Sequence, residues 1–313
     1  MKHRIDPKVD CVFKALLGSE ANRNLLIHFL NAILTGELAA PIAEVEILNP
    51  YNEKEFLDDK LSIVDVKARD AAGNVFQVEI QLSAYGHLPT RIAYTWADIY
   101  SQQLQSGQNY DLLKPTYSIW LLAENLIADD DYAHNYKLRD DNGRMLIDHG
   151  GIWLLELAKF DAESIATEQQ RWLMFFKKGD QLDAANLPEW MNTEEMRKAM
   201  STLKQFSEKE RDYHAYQARQ NFLREQRTIQ GEMEELEQKL EQERLEKLDA
   251  LKREQSALQR EQAALQEKQA AFEEKQAALQ EKQAALQREN TALQSAEAAR
   301  FEIERLKALL DKR

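Results

Sequence analysis

Two alternating stretches, LSIVDVKARD (61–70) and NVFQVEIQL (74–82), place acidic side chains where they could act together. Successive strand residues point to opposite sides, so Asp65, Lys67 and Arg69 share one face of the first stretch while Val64, Val66 and Ala68 take the other. In the second, Gln77, Glu79 and Gln81 share a face with Val75, opposed by Phe76, Val78, Ile80 and Leu82. Asp70-Ala71-Ala72-Gly73-Asn74 between them has the composition of a short turn, which predicts a β-hairpin. A turn centred on Ala72 sets Asp65 opposite Glu79, Lys67 opposite Gln77 and Ile63 opposite Gln81. Directly opposed side chains sit about 5 Å apart at Cβ. Two carboxylates at that separation repel unless a cation lies between them, and oxygen ligands on a rigid scaffold suit Mg2+ or Mn2+. A slip of one residue would send the acids to opposite faces. The competing reading puts both acids on the solvated outer face of a half-exposed hairpin, and residue types alone leave the two readings open.

The segments around the hairpin are those of one α/β or α+β domain spanning residues 1–190. Asn22 to Leu34 carries Leu25, Leu26, Phe29, Leu30 and Ile33 at three- and four-residue spacing, an amphipathic helix. Further strands are predicted at 44–48, 117–122 and 152–157, with a helix at 89–105 ended by Ser106 and Gly107, and another at 167–178 closed by Gly179. Strands, a crossover helix and then more strand predict a small mixed sheet flanked by helices. Asp10 and Lys14 fall four apart on a first helix, where they can pair with each other. His134 and His149 lack the spacing of zinc ligands and read as loop residues, and RDDNG (139–143) reads as a turn rather than a calcium loop.

After about residue 190 the punctuation stops: the last Trp is Trp190, the last Pro is Pro188, and Gly231 is the one Gly beyond Gly179. Everything beyond is predicted helical. A basic helical segment, 191–230, precedes a heptad region, 231–313, in which Leu251, Leu258, Leu265, Phe272, Leu279, Leu286 and Leu293 recur every seventh residue. That period implies a left-handed coiled coil and a homo-oligomer formed through the C-terminal helices. The seam is thin, because the partner core positions are Gln255, Gln262, Gln269, Gln276, Gln283 and Asn290, and near-identical units make slipped registers close in energy.

Charge and composition limit the function classes. The net charge of −13 divides into −11 over 1–190, +2 over 191–230 and −4 over the remainder, so no broad basic footprint for nucleic acid exists and any such contact is local, metal-assisted or made by several copies. One cysteine, Cys11, excludes a disulfide framework. No apolar run approaches the roughly 20 residues of a membrane span, and the start MKHRIDPKVD lacks a signal-like stretch, so a cytoplasmic protein without a membrane partner is expected.

An Asp on one strand, a turn, and Glu79-Ile80-Gln81 on the next is similar to the core of PD-(D/E)XK nucleases in the variant where Gln replaces the final Lys. More narrowly, the chain resembles the Rpn-type recombination-promoting nucleases, a transposase group of that superfamily. The likeness covers residues 1 to about 230, through DPKVDCVFKALLG (6–18), the hairpin (61–82), RIAYTWADIYSQQLQSGQNYDLLKPTYSIWLL (91–122) and KQFSEKERDYHAYQARQNFLREQ (204–226), and leaves out the heptad tail. It implies a Mg2+-dependent DNA endonuclease, with Mn2+ or Ca2+ as substitute ions, acting in recombination and in defence against phage. Asp65, Glu79 and the carbonyl of Ile80 would be metal ligands, and Gln81 would orient the attacking water or the phosphate. Gln brings no positive charge, which leaves Lys67 or Lys60 to supply one. Asp10 and Lys14 would complete the site, and Lys14, Lys60, Arg91, Arg219 and Arg224 would contact DNA, with Tyr94, Gln102 and Gln103 lining the groove. Nothing in the residues distinguishes RNA from DNA. The rival reading is a degenerate nuclease fold, its Lys replaced by Gln, that serves as a coiled-coil assembly or partner-binding module.

Overall fold

The computed structural model of the chain describes residues 2–49, 64–183 and 186–310. They divide into two compact units, Met1–Gln226 and Arg227–Arg313. The first is a mixed sheet flanked by helices. Its strands are β1 (Val45–Ile47), β2 (Val66–Asp70), β3 (Val75–Gln81), β4 (Thr116–Leu122), β5 (Ala133–Tyr136) and β6 (Gly150–Glu156), in the spatial order β1-β2-β3-β4-β6-β5. β1, β2 and β3 form an antiparallel meander; β4 runs parallel to both β3 and β6, and β5 closes the far edge antiparallel to β6. The helices are α1 (Asp10–Leu17), α2 (Arg23–Ile33), α3 (Leu88–Ser101), α4 (Glu168–Lys178), α5 (Glu194–Glu208) and α6 (Glu210–Leu310).

Alternation along the strands assigns the two faces. Val66, Ala68, Phe76, Val78, Ile80, Ile119 and Leu121 pack into one large core with α1, α2, α4 and α5. On the reverse face α3 lays Leu88 and Ile92 against Trp120, Leu122 and Leu154, and Ile99 against Val64 and Val75. The central strands are thus covered on both sides, which accounts for their near-continuous burial.

Two elements depart from the sequence expectation. β5 was not anticipated: Ala-His-Asn-Tyr is short, largely exposed and without apolar alternation, as an edge strand can be. The C-terminal helix is interrupted at Lys209, which is extended (ψ 115°), so α5 and α6 are separate. The buried Ser207 hydroxyl just before that break accepts the His3 N–H at 2.6 Å, and just after it Tyr213 stacks on His3 and Tyr216 O–H accepts the Asp6 N–H. Met196, Ala199, Met200 and Leu203 of α5 belong to the main core. Among the described residues no helix is long and apolar enough to cross a membrane.

β6 enters the sheet through Gly150, at φ 83°, where an added Cβ would lie 2.2 Å from the Thr116 carbonyl oxygen of β4. Gly107 has a nearly identical φ of 86° with nothing within 4 Å. The two glycines separate backbone strain from crowding. Gly107→Ala is expected to cost about 1 kcal/mol, the left-handed penalty alone, and Gly150→Ala several times that, both read from denaturant midpoints. Equal losses would show that β4 and β6 are less tightly apposed than described.

Candidate active site

The hairpin pairs in the predicted register over β2, Lys67 with Gln77 and Val66 with Val78, but the alternation breaks just before it: Val64, expected on the face of Val66, packs with Val75 and Ile99 on the other. The turn is held by Asp70, whose carboxylate accepts Asn74 N–H and Nδ2 at 2.9 and 2.8 Å, while Gly73 takes up a φ of 88°. Asp65 immediately precedes β2 and meets Glu79 of β3. Its N–H donates to Glu79 Oε1 (3.0 Å), and its own Oδ2 accepts the Ile80 N–H (3.1 Å), so each acid is fixed by the other's strand. Ile63 and Lys60 lie outside the described residues.

Glu79 is 4% exposed, a carboxylate on the sheet face that α3 covers. A one-way relay of donors points at it: Trp120 Nε1 donates to Ser118 Oγ (2.8 Å), Ser118 O–H to Gln77 Oε1 (2.9 Å), and Gln77 Nε2 to Glu79 Oε1 (3.3 Å). Burial, and then the charge of Asp65, push the Glu79 carboxyl up to about 8. Asp65 is raised too, chiefly by burial, against the opposing pull of the Ile80 N–H and Lys14. The two acids therefore form a site short of positive charge.

Two cations approach it from opposite faces of the sheet. Lys14 Nζ of α1 stands 3.3 Å from Asp65 Oδ1. The Asp10–Lys14 pair anticipated along the helix is replaced by two longer-range ones, since Asp10 binds Arg219 of α6 (Nε–Oδ1 2.9 Å). From α3, Arg91 donates to Gln81 Oε1 (3.3 Å) and to the Tyr85 hydroxyl (3.0 Å), with its guanidinium 5.6 Å from the Trp120 ring centre. Gln81 is steered in turn by its bond to the Ser83 carbonyl (3.0 Å). Thus Asp65, Glu79, Ile80, Gln81, Lys14 and Arg91 come together, with Arg219 joined through Asp10. Lys67 stands opposite Gln77, two residues along from Asp65. Arg224 bonds Asn221 on its own helix. Of the other candidates on and just after α3, Tyr94 is half-exposed, Gln102 bonds Asp98, and Gln103 ties the helix end to Lys114 and Thr116.

A second acidic cluster lies at the end of β6. Asp129, His134 and Glu156 bring ligand-type atoms within 4.8 Å of one another. His134 is not in a loop, as expected, but on β5; His149 does lie in a loop and bonds the Tyr100 hydroxyl (2.8 Å). Spacing alone hides this cluster, because its members come from three separate segments. Lys159 Nζ sits inside it, 2.8 Å from Glu156 and 3.1 Å from Asp129, and the Leu126 and Ile127 N–H groups donate to Glu156. Burial disfavours the Glu156 charge, but these partners outweigh it and its pKa is lowered. The two clusters thus differ electrostatically: in one an internal ammonium and amide N–H groups hold the carboxyl groups below their ordinary range, while in the other burial holds them above it. Oxygen donors with such a deficit suit a hard divalent cation.

A family model described as PD-(D/E)XK nuclease family transposase matches residues 7–232. No curated protein and no solved structure gives a significant match.

The raised Glu79 pKa fixes the sign of a pH effect. The native state holds a proton that the unfolded chain releases near 4.5, so stability is fullest below that value and falls as pH rises towards about 8. Its slope is at most about 1.4 kcal/mol per pH unit for one proton. Glu79→Gln is expected to flatten this limb of a melting-temperature profile, and Mg2+ to raise the wild-type melting temperature most at its alkaline end. A wild-type profile already flat between pH 5 and about 8 would contradict the assignment.

Proposed function

Because the chain belongs to the PD-(D/E)XK nuclease family transposases, we propose that it is a divalent-metal-dependent DNA endonuclease whose active site is the Asp65–Glu79 pair at the open end of the hairpin. The observation that carries this reading is the interlocked pair of buried acids with Lys14 and Arg91 beside it. Asp65, Glu79 and the carbonyl of Ile80 would hold Mg2+. When bound, the ion polarises the scissile phosphate and lowers the pKa of its water.

The remaining roles belong to the chain's own side chains. The Trp120–Ser118–Gln77 relay orients the Glu79 carboxylate and keeps Gln77 a donor towards it. Gln81 occupies the place of a catalytic lysine without its charge, and its Oε1 holds Arg91 there instead. Arg91 thus supplies the missing cation, positioned to stabilise charge that develops on a phosphate, while Lys14 does the same from the Asp65 side. Lys67, opposite Gln77 on the same hairpin, is a further candidate for that charge. With a net charge of −11 over 1–190, DNA affinity rests on this local group, on Arg219 and Arg224, and on the tail bringing copies together. The transposase description supports a role in recombination; a role in phage defence rests on the resemblance to recombination-promoting nucleases.

One observation favours the rival reading of a binding module: Gln81 already spends its side chain on Arg91 and Ser83. Nicking of supercoiled plasmid with Mg2+ separates the two. The enzyme reading predicts cleavage abolished by EDTA, lowered more than about a hundredfold in folded Asp65→Asn and Glu79→Gln, and lowered about a hundredfold in Arg91→Ala. Asp129→Asn is expected to stay within about threefold of wild type, because Lys159 already occupies that cluster. No cleavage by the full-length folded protein on any DNA form would favour the module.

A further inference from the structure

Asp10 and Lys14 of α1 lie four residues apart, the spacing at which an acid and a following base pair along a helix. No ion pair joins them here. Lys14 Nζ is 3.3 Å from Asp65 Oδ1, and Asp10 Oδ1 accepts the Arg219 Nε–H at 2.9 Å. The four charges alternate in sign, Arg219, Asp10, Lys14, Asp65, and come from α6, α1 and the segment just ahead of β2, all within the first unit. We propose that Arg219 is a positioning residue for the candidate active site: by holding Asp10, it leaves Lys14 to Asp65. The proposal rests on the reading of the Asp65–Glu79 pair as the catalytic centre, and adds to that centre a residue that acts through Lys14.

Lys14 has two carboxylates within reach, and they differ in kind. Asp10 is its neighbour one turn back on the same helix, about 5–6 Å away at Cβ, and needs no tertiary structure to pair with it. Asp65 comes from a distant segment, and its side chain is 13% exposed against 30% for Asp10. The flexible lysine stem can serve either acid. An ammonium that swings to Asp10 is lost to Asp65 and to a phosphate bound beside it. Occupying Asp10 with a second cation removes that alternative. The electrostatics agree: the charge of Asp10 acts on Asp65, so both acids lie within range of the same cation, and Arg219 opposes the effect of Asp10 on the adjoining Cys11 thiol.

The position of Arg219 is set independently of Asp10. Its guanidinium lies 4.8 Å from the Phe222 ring centre, a cation–π contact. The start of α6 is fastened to the N-terminal segment by the Tyr216 hydroxyl, which accepts the Asp6 N–H at 3.1 Å, and by Tyr213 stacked on His3. Lys8, a cation close to Asp10 in sequence, is engaged elsewhere, on Asp6 Oδ1 (2.8 Å) and the Phe176 carbonyl (3.2 Å). Among the described residues no other ion pair reaches Asp10 or Lys14.

Single-turnover nicking of supercoiled plasmid by the full-length protein in Mg2+ tests this, with folding of each variant checked by thermal melting. Arg219→Gln is expected to lower the rate at saturating enzyme about two- to threefold, through the share of Lys14 that Asp10 draws off, with the half-saturating concentration little changed. Adding Asp10→Asn removes the competing acid and is expected to return most of that loss, although the contact between α1 and α6 is then missing from both sides. In a Lys14→Met background, already slowed, Arg219→Gln is expected to cost less than about 1.5-fold more. A double variant as slow as Arg219→Gln would overturn the proposal and leave Arg219 a clip between helices. A raised half-saturating concentration that Asp10→Asn does not correct would overturn it in favour of a DNA contact. An equal loss with and without Lys14 would show that Arg219 acts by another route. A wild type that cleaves no DNA form would instead remove the nuclease reading, and with it the site that Arg219 positions.

Discussion

The register of the β2–β3 hairpin is the constraint on which the candidate site depends. Pairing of β2 with β3 brings Asp65, just ahead of β2, up to Glu79, and the two backbone-to-carboxylate hydrogen bonds that cross between them hold it there. Covering the reverse face of the sheet with α3 then deprives Glu79 of water. Because strand side chains alternate, a one-residue slip would separate the acids and also turn Phe76, Val78 and Ile80 out of the main core. The hydrophobic core therefore enforces the geometry of the polar site, and the site needs no private scaffold.

Buried acids elsewhere in the same sheet show what this arrangement lacks. At the end of β6 the chain places Lys159 and two amide N–H groups on Glu156, and the carboxylate stays ionised below its ordinary range. At the end of β3 the cations stand further back: Lys14 touches only the outer oxygen of Asp65, and Arg91 is held on Gln81. Burial, with little positive charge set against it, raises both acids. The same sheet thus surrounds one acidic cluster with donors and leaves the other short of positive charge.

Much of this was legible in the sequence, for physical reasons that differ by element. Strict alternation and a Gly-containing turn specify the hairpin and its register, and three- to four-residue spacing specifies α2. The Leu-rich runs of β4 and β6 stand out because both their faces are covered. The partners of the acids were less legible. Lys14 was visible as a candidate, but its contact with Asp65 depends on how α1 packs across the main core. Arg91 was visible as a cation near the site, but its bond to Gln81 depends on how α3 lies across the sheet. β5 has no apolar pattern to reveal it, so His134 seemed to be a loop residue, and the Asp129–His134–Glu156 cluster joins three segments with no motif. The break at Lys209 contains neither Gly nor Pro and follows from contacts with the N-terminal segment. Local pattern carries local structure; contacts between distant segments must be seen in the fold.

The account turns on which acids take up a metal. Titration of Mn2+ into the full-length protein, with free ion followed by electron paramagnetic resonance, tests that directly across wild type, Asp65→Asn/Glu79→Gln and Asp129→Asn/Glu156→Gln. The account predicts that the strongest class of Mn2+ binding is lost in the first double variant and retained in the second, provided both stay folded. Binding retained without Asp65 and Glu79, or lost with Asp129 and Glu156, would contradict it.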